Sequence, residues 1–216
     1  MDIRPRGRHT VSMITIGILA LQGDFHAHAQ ALSRLDVASR LVRKPADLTG
    51  LAGLILPGGE SSTFLKLIET EGLWEPIRKF AKSHPVFGTC AGAILMADRV
   101  ENPPQSSLGL IRMTVRRNAY GRHVSSSIRH VEGSRELNIG QKAGPPIEAV
   151  LIRAPIITEV GEQVAVLATM DGQPVVVRQN HFLAATFHPE LTSDTRLHRL
   201  FTRMVSKEDS KSEGGK

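Results

Sequence analysis

The chain has a single cysteine, Cys90, which lies in the segment Gly88-Thr89-Cys90-Ala91-Gly92. This segment fits the nucleophile elbow, in which a strand turns sharply into a helix and small flanking residues let the backbone segments approach closely. A thiolate at the start of a helix is favoured by the positive end of the helix dipole. The pattern predicts Cys90 as a nucleophile and the Ala91 N–H as one donor of an oxyanion hole.

A histidine and a glutamate, His188 and Glu190, stand two residues apart after an apolar stretch. In an extended segment, residues i and i+2 point the same way, so these two side chains can touch. The carboxylate then fixes the imidazole tautomer and stabilises the imidazolium that forms when the ring takes the thiol proton. A lone cysteine is usually a buried apolar residue, and a lone His-x-Glu pair is common on loops. The combination predicts a triad.

A glycine pair, Gly58-Gly59, lies in the segment LPGGESS, after a predicted strand and before a predicted helix. Peptides without side chains can turn their N–H groups toward a bound carbonyl at the carboxyl end of a strand. The pair is also an ordinary turn sequence, so it gains meaning only beside the predicted nucleophile. It is the second candidate for the oxyanion hole.

The elements that must position these residues alternate along the first half of the chain. Apolar, β-branched runs predict strands at 14–21, 38–42, 51–56 and 85–88, and helical spacing predicts helices at 25–35, 61–68, 73–80 and 91–97. Such alternation is typical of a parallel sheet with helices on both faces. The cysteine, the glycine pair and the histidine all follow predicted strands, and the carboxyl ends of strands are where such sheets place their sites.

The second half is richer in strands, which are predicted at 108–115, 149–152, 164–169, 175–178 and 182–187. A hairpin turn is predicted at Met170-Asp171-Gly172-Gln173, a closing helix near 193–205, and a surface loop at 122–146. We therefore expect a doubly wound α/β fold of flavodoxin-like type, mainly parallel, with antiparallel additions. The domain should span 14–205, between a disordered N-terminal extension at 1–13 and a disordered tail at 206–216.

Composition narrows the class of protein. The formal charge of +6 is scattered along the chain and aromatic residues make up only 4%, which argues against nucleic-acid binding. No apolar run reaches the roughly 18 residues of a membrane span, so we expect no membrane partner. One cysteine and a polar start of the chain favour the cytoplasm. The histidines lack ligand-like spacing, and no metal site is predicted.

The predicted site resembles that of class I, triad-type glutamine amidotransferases. Within that class the chain is similar to the glutaminase subunits of pyridoxal 5′-phosphate synthase, from about Ile14 to Phe201. The similarity is carried by these segments: GILALQGD (17–24), LPGGESS (56–62), GTCAG (88–92), RNAYG (117–121), IRAP (152–155) and FHPELT (187–192). One stretch departs from the family, which usually continues differently from this chain's 122–129.

The resemblance implies hydrolysis of L-glutamine to glutamate and ammonia by Cys90, His188 and Glu190. It implies that Gln22 lies near the oxyanion loop, and that the glutamine site is lined by Gly58, Gly59, Glu60, Arg117, Ile152 and Arg153. The ammonia would pass to a partner synthase subunit that makes pyridoxal phosphate. Pyridoxal phosphate would be a product, and no cofactor is expected. In the family the glutaminase is typically poorly active until the synthase docks.

Other interpretations stay open on the residues alone. A glutaminase subunit of another amidotransferase, such as the one serving histidine biosynthesis, would share the triad but serve a different synthase. A flavodoxin-like cysteine hydrolase of peptides or thioesters would not need Glu60 or Arg153. A binding or regulatory protein without activity would not need Cys90 at all.

Overall fold

The computed structural model describes residues 14–117, 126–138 and 144–213, with side chains described as far as 206. In the first half, strands and helices alternate: β1 Thr15–Leu19, α1 Phe25–Ser33, β2 Ala38–Val42, β3 Gly53–Leu56, α2 Ser61–Thr70, α3 Trp74–Ala81, β4 Val86–Thr89 and α4 Ala91–Met96. The second half contains β5 Ala97–Glu101, β6 Ile111–Arg116, β7 Ser126–Val131, β8 Ile147–Ile152, β9 Ile156–Val160, β10 Ala165–Met170, β11 Gln173–Gln179, β12 Phe182–Ala185 and α5 Arg196–Glu213.

The central sheet has seven strands in the order β10-β11-β12-β4-β3-β1-β2. Strands β12, β4, β3, β1 and β2 are parallel neighbours, whereas β10, β11 and β12 pair antiparallel. The doubly wound α/β fold with antiparallel additions is therefore confirmed. The predicted hairpin turn joins β10 to β11, and its Asp171 and Gly172 have the positive φ values, 50° and 78°, that such a turn requires.

Both faces of the central sheet are buried. Successive side chains of its strands point alternately into two apolar clusters, one on each face. In β3, Ile55 joins the cluster that contains Leu32 of α1 and Phe201 of α5. Leu54 and Leu56 point the other way, into the cluster that contains Phe64 of α2. This period of two is what an extended chain imposes on a sheet buried from both sides.

The predicted surface loop at 122–146 is wrong in part, because β7 occupies its middle and pairs antiparallel with β8. Strand β7 was missed because its sequence, SSIRHV, has few apolar residues. The strand is held by backbone pairing with β8, and its Ile128 is 62% exposed. Residues 122–125 and 139–143 of the predicted loop lie outside the described residues. The short strands β5 and β9 were also missed; they flank β6 in a separate three-stranded sheet.

The closing helix begins near the predicted position but continues to Glu213, past the expected end at Val205. The tail is rich in lysine and glutamate, which are good helix formers, so the apolar pattern ends before the helix does. None of the helices in the described ranges is both long and apolar enough to cross a membrane.

Candidate active site

Three neighbouring strands of the sheet bring the site together. Strands β3, β4 and β12 lie side by side and run in the same direction, so their carboxyl ends share one edge. Gly58 follows β3, Cys90 follows β4, and His188 follows β12. The register pairs Ala185 with Thr89, and the Cys90 N–H donates to the Ala185 carbonyl at 2.9 Å. Backbone pairing therefore sets the separation of Cys90 and His188.

Cys90 lies at the turn between β4 and α4 with φ 47° and ψ −105°, a backbone conformation that residues other than glycine rarely adopt. Such backbone strain costs on the order of 1–3 kcal/mol and persists only where the surroundings enforce it. The flanking glycines show how it is enforced. A Cβ on Gly88 would lie 2.6 Å from the carbonyl carbon of Gly92, and a Cβ on Gly92 would collide with the Leu56 carbonyl. The two glycines are there because the helix start packs against strand backbone.

The thiol of Cys90 is nearly enclosed, with 3% of the residue exposed. Its sulfur lies 3.8 Å from the carbonyl oxygen of Ile152, the last residue of β8. Ala91, the first residue of α4, has an N–H with no acceptor inside the helix, as expected at a helix start. A carbonyl group attacked by the sulfur would meet that N–H.

The ring of His188 lies between Cys90 and Glu190. Its Nδ1 atom is 2.8 Å from Glu190 Oε1, and the Cys90 side chain is close enough to the ring to act on its pKa. Burial lowers the pKa of His188, but the ring's interactions with Cys90 and Glu190 outweigh burial and raise the pKa to about 10. The raised pKa favours the imidazolium form of His188 beside the sulfur of Cys90.

Glu190 is held ionised although it is buried. Burial raises its pKa, while the electrostatic interaction with His28 and the hydrogen bond from His188 act the other way, and the net pKa is below its ordinary value. Asp24, just before α1, lies near this pair. One side-chain atom of each of Asp24, His188 and Glu190 could bind a metal ion, and these three atoms lie within 4.8 Å of one another. Two members of that group are already engaged with each other, which accounts for the cluster without an ion.

The glycine pair after β3 lies against the same ring. A Cβ on Gly58 would collide with Cε1 of His188, and one on Gly59 would collide with the amide of Gln22. Gly59 has φ 134°, a region that favours glycine. The side chain of Gln22 hydrogen-bonds both backbone groups of Glu60: the Glu60 N–H donates to Gln22 Oε1 at 3.3 Å, and Gln22 Nε2 donates to the Glu60 carbonyl at 3.4 Å. Gln22 thus fixes the loop that carries Gly59.

Glu60 caps α2, accepting from the N–H groups of Ser62 at 3.0 Å and Thr63 at 2.7 Å. Burial raises its pKa, but the hydrogen bonds from Thr63 and Ser62 outweigh burial and lower the pKa to about 2. Arg117 follows β6, is buried, donates to Ser62 Oγ at 2.7 Å and lies 3.6 Å from Glu60 Oε1. Arg153 is exposed at φ 46°, one residue beyond the Ile152 carbonyl that faces the thiol.

Residues 18–207 match the family described as "SNO glutamine amidotransferase family". The chain belongs to that family. The resemblance seen in the sequence is thereby confirmed.

Two amidotransferase relatives carry the name "Pyridoxal 5'-phosphate synthase subunit PdxT". The protein of Koribacter versatilis is 56% identical over 190 residues, covering 88% of this chain and 95% of its own length. The protein of Solibacter usitatus is 50% identical over 189 residues, covering 88% of this chain and 98% of its own length.

The structural neighbours agree with this assignment. A crystal structure of a glutamine amidotransferase matches with TM-score 0.81 and 44% identity, covering 88% of this chain and 98% of that one. The structure of PurLQS from Thermotoga maritima matches with TM-score 0.66 and 14% identity, covering 88% of this chain and 98% of the matched one, and shows a shared fold only.

Two buried histidines of this amidotransferase, His28 and His198, were not expected at the site. His28 lies on the buried face of α1 and His198 on that of α5, and both are fully enclosed. The sequence offered one signal for His28, since it stands one helical turn before the buried Leu32. A polar ring on an apolar helix face needs a polar partner, and His28 Nε2 lies 3.2 Å from Thr89 Oγ1 and 3.4 Å from Glu190 Oε2.

Proposed function

We propose that the chain is the glutaminase subunit of a pyridoxal 5′-phosphate synthase, hydrolysing L-glutamine to L-glutamate and ammonia through Cys90, His188 and Glu190. The observation that carries the proposal is the strained turn that places Cys90 beside the ring of His188, whose Nδ1 lies 2.8 Å from Glu190 Oε1. Membership of the amidotransferase family supports glutamine as the substrate.

The first half-reaction makes a thioester. Because Nδ1 of His188 faces Glu190, its other ring nitrogen holds the proton that the thiol has given up, and the sulfur attacks the side-chain amide carbon of glutamine. The oxyanion that forms is stabilised by the N–H groups of Ala91 and Gly59. When it collapses, the carbon–nitrogen bond breaks and His188 returns the proton to the departing nitrogen, which leaves as ammonia.

The second half-reaction releases glutamate. Water loses a proton to His188 and attacks the thioester carbon, and the carbon–sulfur bond then breaks. The sulfur leaves as the thiolate beside the protonated ring, which restores the resting pair. Glutamine and one water have become glutamate and ammonia, with no oxidant or reductant.

Glutamine recognition is assigned to residues around the thiol. The carboxylate of Glu60 stays ionised down to low pH and is partly exposed, so it can accept hydrogen bonds from the α-ammonium group. Arg117 and Arg153 supply cationic groups for the α-carboxylate. The backbone of Gly58, Gly59 and Ile152 provides the remaining polar contacts along the side chain.

The partner is inferred from the relatives. Both relatives described above are named as subunits of pyridoxal 5′-phosphate synthase. We infer that this chain likewise docks on a synthase subunit, which receives the ammonia and releases pyridoxal phosphate as product. A cytoplasmic location fits a reaction that needs a reduced thiol at Cys90.

A glutamine-like diazo ketone tests the nucleophile. One equivalent should attach to Cys90, glutamine in excess should protect it, and the matched Cys90→Ala variant should stay unlabelled as seen by intact-protein mass spectrometry. Labelling at another residue, or labelling that glutamine leaves unchanged, would contradict the assignment.

Ammonia release tests the partner. The rate from glutamine should rise when a pyridoxal phosphate synthase subunit is added, and it should not rise with the synthase subunit of histidine biosynthesis. The reverse pattern would assign the chain to the other amidotransferase. No ammonia under any of these conditions would refute the glutaminase itself.

A further inference from the structure

A line of buried polar groups continues behind the triad. His28 Nε2 lies 3.4 Å from Glu190 Oε2 and 3.2 Å from Thr89 Oγ1, while His28 Nδ1 lies 2.9 Å from His198 Nε2. His28, His198 and Thr89 are all fully buried. His28 therefore touches both the acid of the triad and the residue that precedes the nucleophile. The reaction described above uses neither histidine.

The direction of the line follows from the charge on Glu190. If His28 Nε2 carried no proton, its lone pair would lie 3.4 Å from Glu190 Oε2, a buried carboxylate oxygen that accepts no hydrogen bond from the described residues. A proton on Nε2 instead places a positive dipole end against Glu190 Oε2 and lets the same N–H donate to Thr89 Oγ1. His28 Nδ1 is then an acceptor, and His198 Nε2 must be the donor.

That assignment leaves one buried atom without a partner, His198 Nδ1, which is an acceptor lone pair. The opposite assignment would leave an N–H group there instead and would also set two acceptors against each other at Glu190. The first arrangement costs less, because only it stabilises the buried charge. Both rings stay neutral, since burial is the main cause that lowers the pKa of His28 and lowers that of His198 to about 3.

We propose that His28 and His198 are positioning residues for glutamine hydrolysis: His28, oriented by its hydrogen bonds to His198 and Thr89, places its Nε2–H 3.4 Å from Glu190 Oε2 and so holds Glu190 ionised and turned toward His188. His198 fixes the tautomer of His28, and His28 presents its Nε2–H to the back of the carboxylate. With Oε2 held from behind, Oε1 keeps its 2.8 Å contact with His188 Nδ1. The inference rests on the proposed glutaminase function.

Four amide and ring substitutions at these sites provide a matched test. His28→Phe keeps the ring volume and removes both nitrogens. The side-chain amide nitrogen of glutamine can occupy roughly the place of Nε2 as a donor, and the side-chain oxygen of asparagine can occupy roughly the place of Nδ1 as an acceptor. His28→Gln therefore keeps the donor to Glu190, and His28→Asn keeps only the contact with His198. His198→Phe removes the distal donor.

Saturating-glutamine kinetics should separate these variants. We expect His28→Phe and His28→Asn to lower kcat about tenfold, the order of one hydrogen bond to a charged group, with His28→Gln staying near the wild type. His198→Phe added to His28→Phe should cost little more, because both act through one line. Thermal unfolding monitors folding, and the Gln–Asn pair keeps the test valid if His28→Phe does not fold.

The pH profile of kcat supplies a readout that a packing defect would not move. Losing the donor raises the pKa of Glu190 and weakens its hold on the imidazolium, so the acidic limb should shift to higher pH in His28→Phe. The charged or titratable groups that act on this pair are Asp24 on α1, His188 and Glu190 after β12, His198 on α5, and, for His198, Arg34.

The outcomes distinguish the inference from the function on which it rests. A wild-type chain that releases no ammonia would refute the function. An active wild type whose His28→Phe and His28→Asn variants match it in kcat and pH profile would refute the positioning role, and so would equal losses in His28→Asn and His28→Gln.

Discussion

Nδ1 of His188 lies 2.8 Å from Oε1 of Glu190, two residues further along the chain. The segment between them is a single buried proline, and Pro189 begins a short 3-10 turn that points both side chains to one side. A local sequence motif thus brings together two of the three residues of the proposed triad, and only the approach of Cys90 to His188 depends on residues far apart in the chain.

The first prediction concerns proton affinity. In the folded chain the pKa of His188 is raised from an ordinary 6.5 to about 10, so its protonated form contributes stability that is fully present below 6.5 and is lost as the pH rises toward 10. NMR titration of the ring should give a midpoint well above 6.5 in the wild type and a lower one in both Glu190→Gln and Cys90→Ala. Midpoints that ignore both substitutions would contradict the arrangement.

The same Glu190→Gln variant should lose activity. An amide oxygen cannot stabilise the imidazolium as a carboxylate does, and loss of the acid from a comparable triad costs kcat on the order of 10³ to 10⁴. Ammonia release under saturating glutamine measures it, with circular dichroism as the check on folding. A loss below tenfold would remove Glu190 from the triad.

A second prediction tests the elbow. Gly92→Ala should destabilise the fold by roughly 1–3 kcal/mol or more, because its Cβ meets the Leu56 backbone carbonyl, which cannot move aside. Gly50→Ala is the control: Gly50 has φ 72° with no heavy atom within 4 Å of an added Cβ, so it carries backbone strain without a collision. Urea unfolding compares the two, and a smaller loss for Gly92→Ala than for Gly50→Ala would refute the steric explanation.

A third prediction tests the loop that carries Gly59. Gln22→Glu keeps the side-chain shape but replaces the Nε2 donor with an oxygen, which faces the Glu60 carbonyl. The loop should lose its fixed orientation, so kcat should fall while the melting temperature changes little. Steady-state kinetics on Gln22→Glu and Gln22→Ala measures the effect, and unchanged kcat in both would remove Gln22 from the oxyanion region.

A fourth prediction separates binding from chemistry at Glu60. If its carboxylate meets the α-ammonium group, Glu60→Gln should raise KM for glutamine more than it lowers kcat. Glu60→Gln also weakens the cap on α2. The paired control is Ser62→Ala, which removes the hydrogen bond from Arg117 to Ser62 Oγ and keeps the charge of Glu60. An unchanged KM in Glu60→Gln would place the ammonium elsewhere.

Much of this arrangement was accessible from sequence because local patterns encode it. Strand β1, with its apolar β-branched run, and the Gly-x-Cys-x-Gly turn each signal their own structure without reference to distant residues. The amidotransferase resemblance then supplied the glutamine-binding assignments, which remain predictions.

The parts that sequence did not give depend on partners far along the chain. Strand β7 exists because its backbone pairs with β8, and little in its side chains announces that pairing. His28 and His198 are 170 residues apart, and only the packing of α1 and α5 on one face of the sheet makes them neighbours. No spacing rule connects such residues.

The ladder between β4 and β12 has an engineering consequence. Ala185 pairs with Thr89, and the Cys90 N–H donates to the Ala185 carbonyl. These backbone contacts set the distance between Cys90 and His188, so the length of the chain between the two strands does not set it. Connections that carry none of the proposed glutamine-binding residues should therefore tolerate changes in length without altering the alignment of Cys90 and His188. A one-residue slip of the seam itself would move the imidazole by about 3.3 Å and turn it to the opposite face.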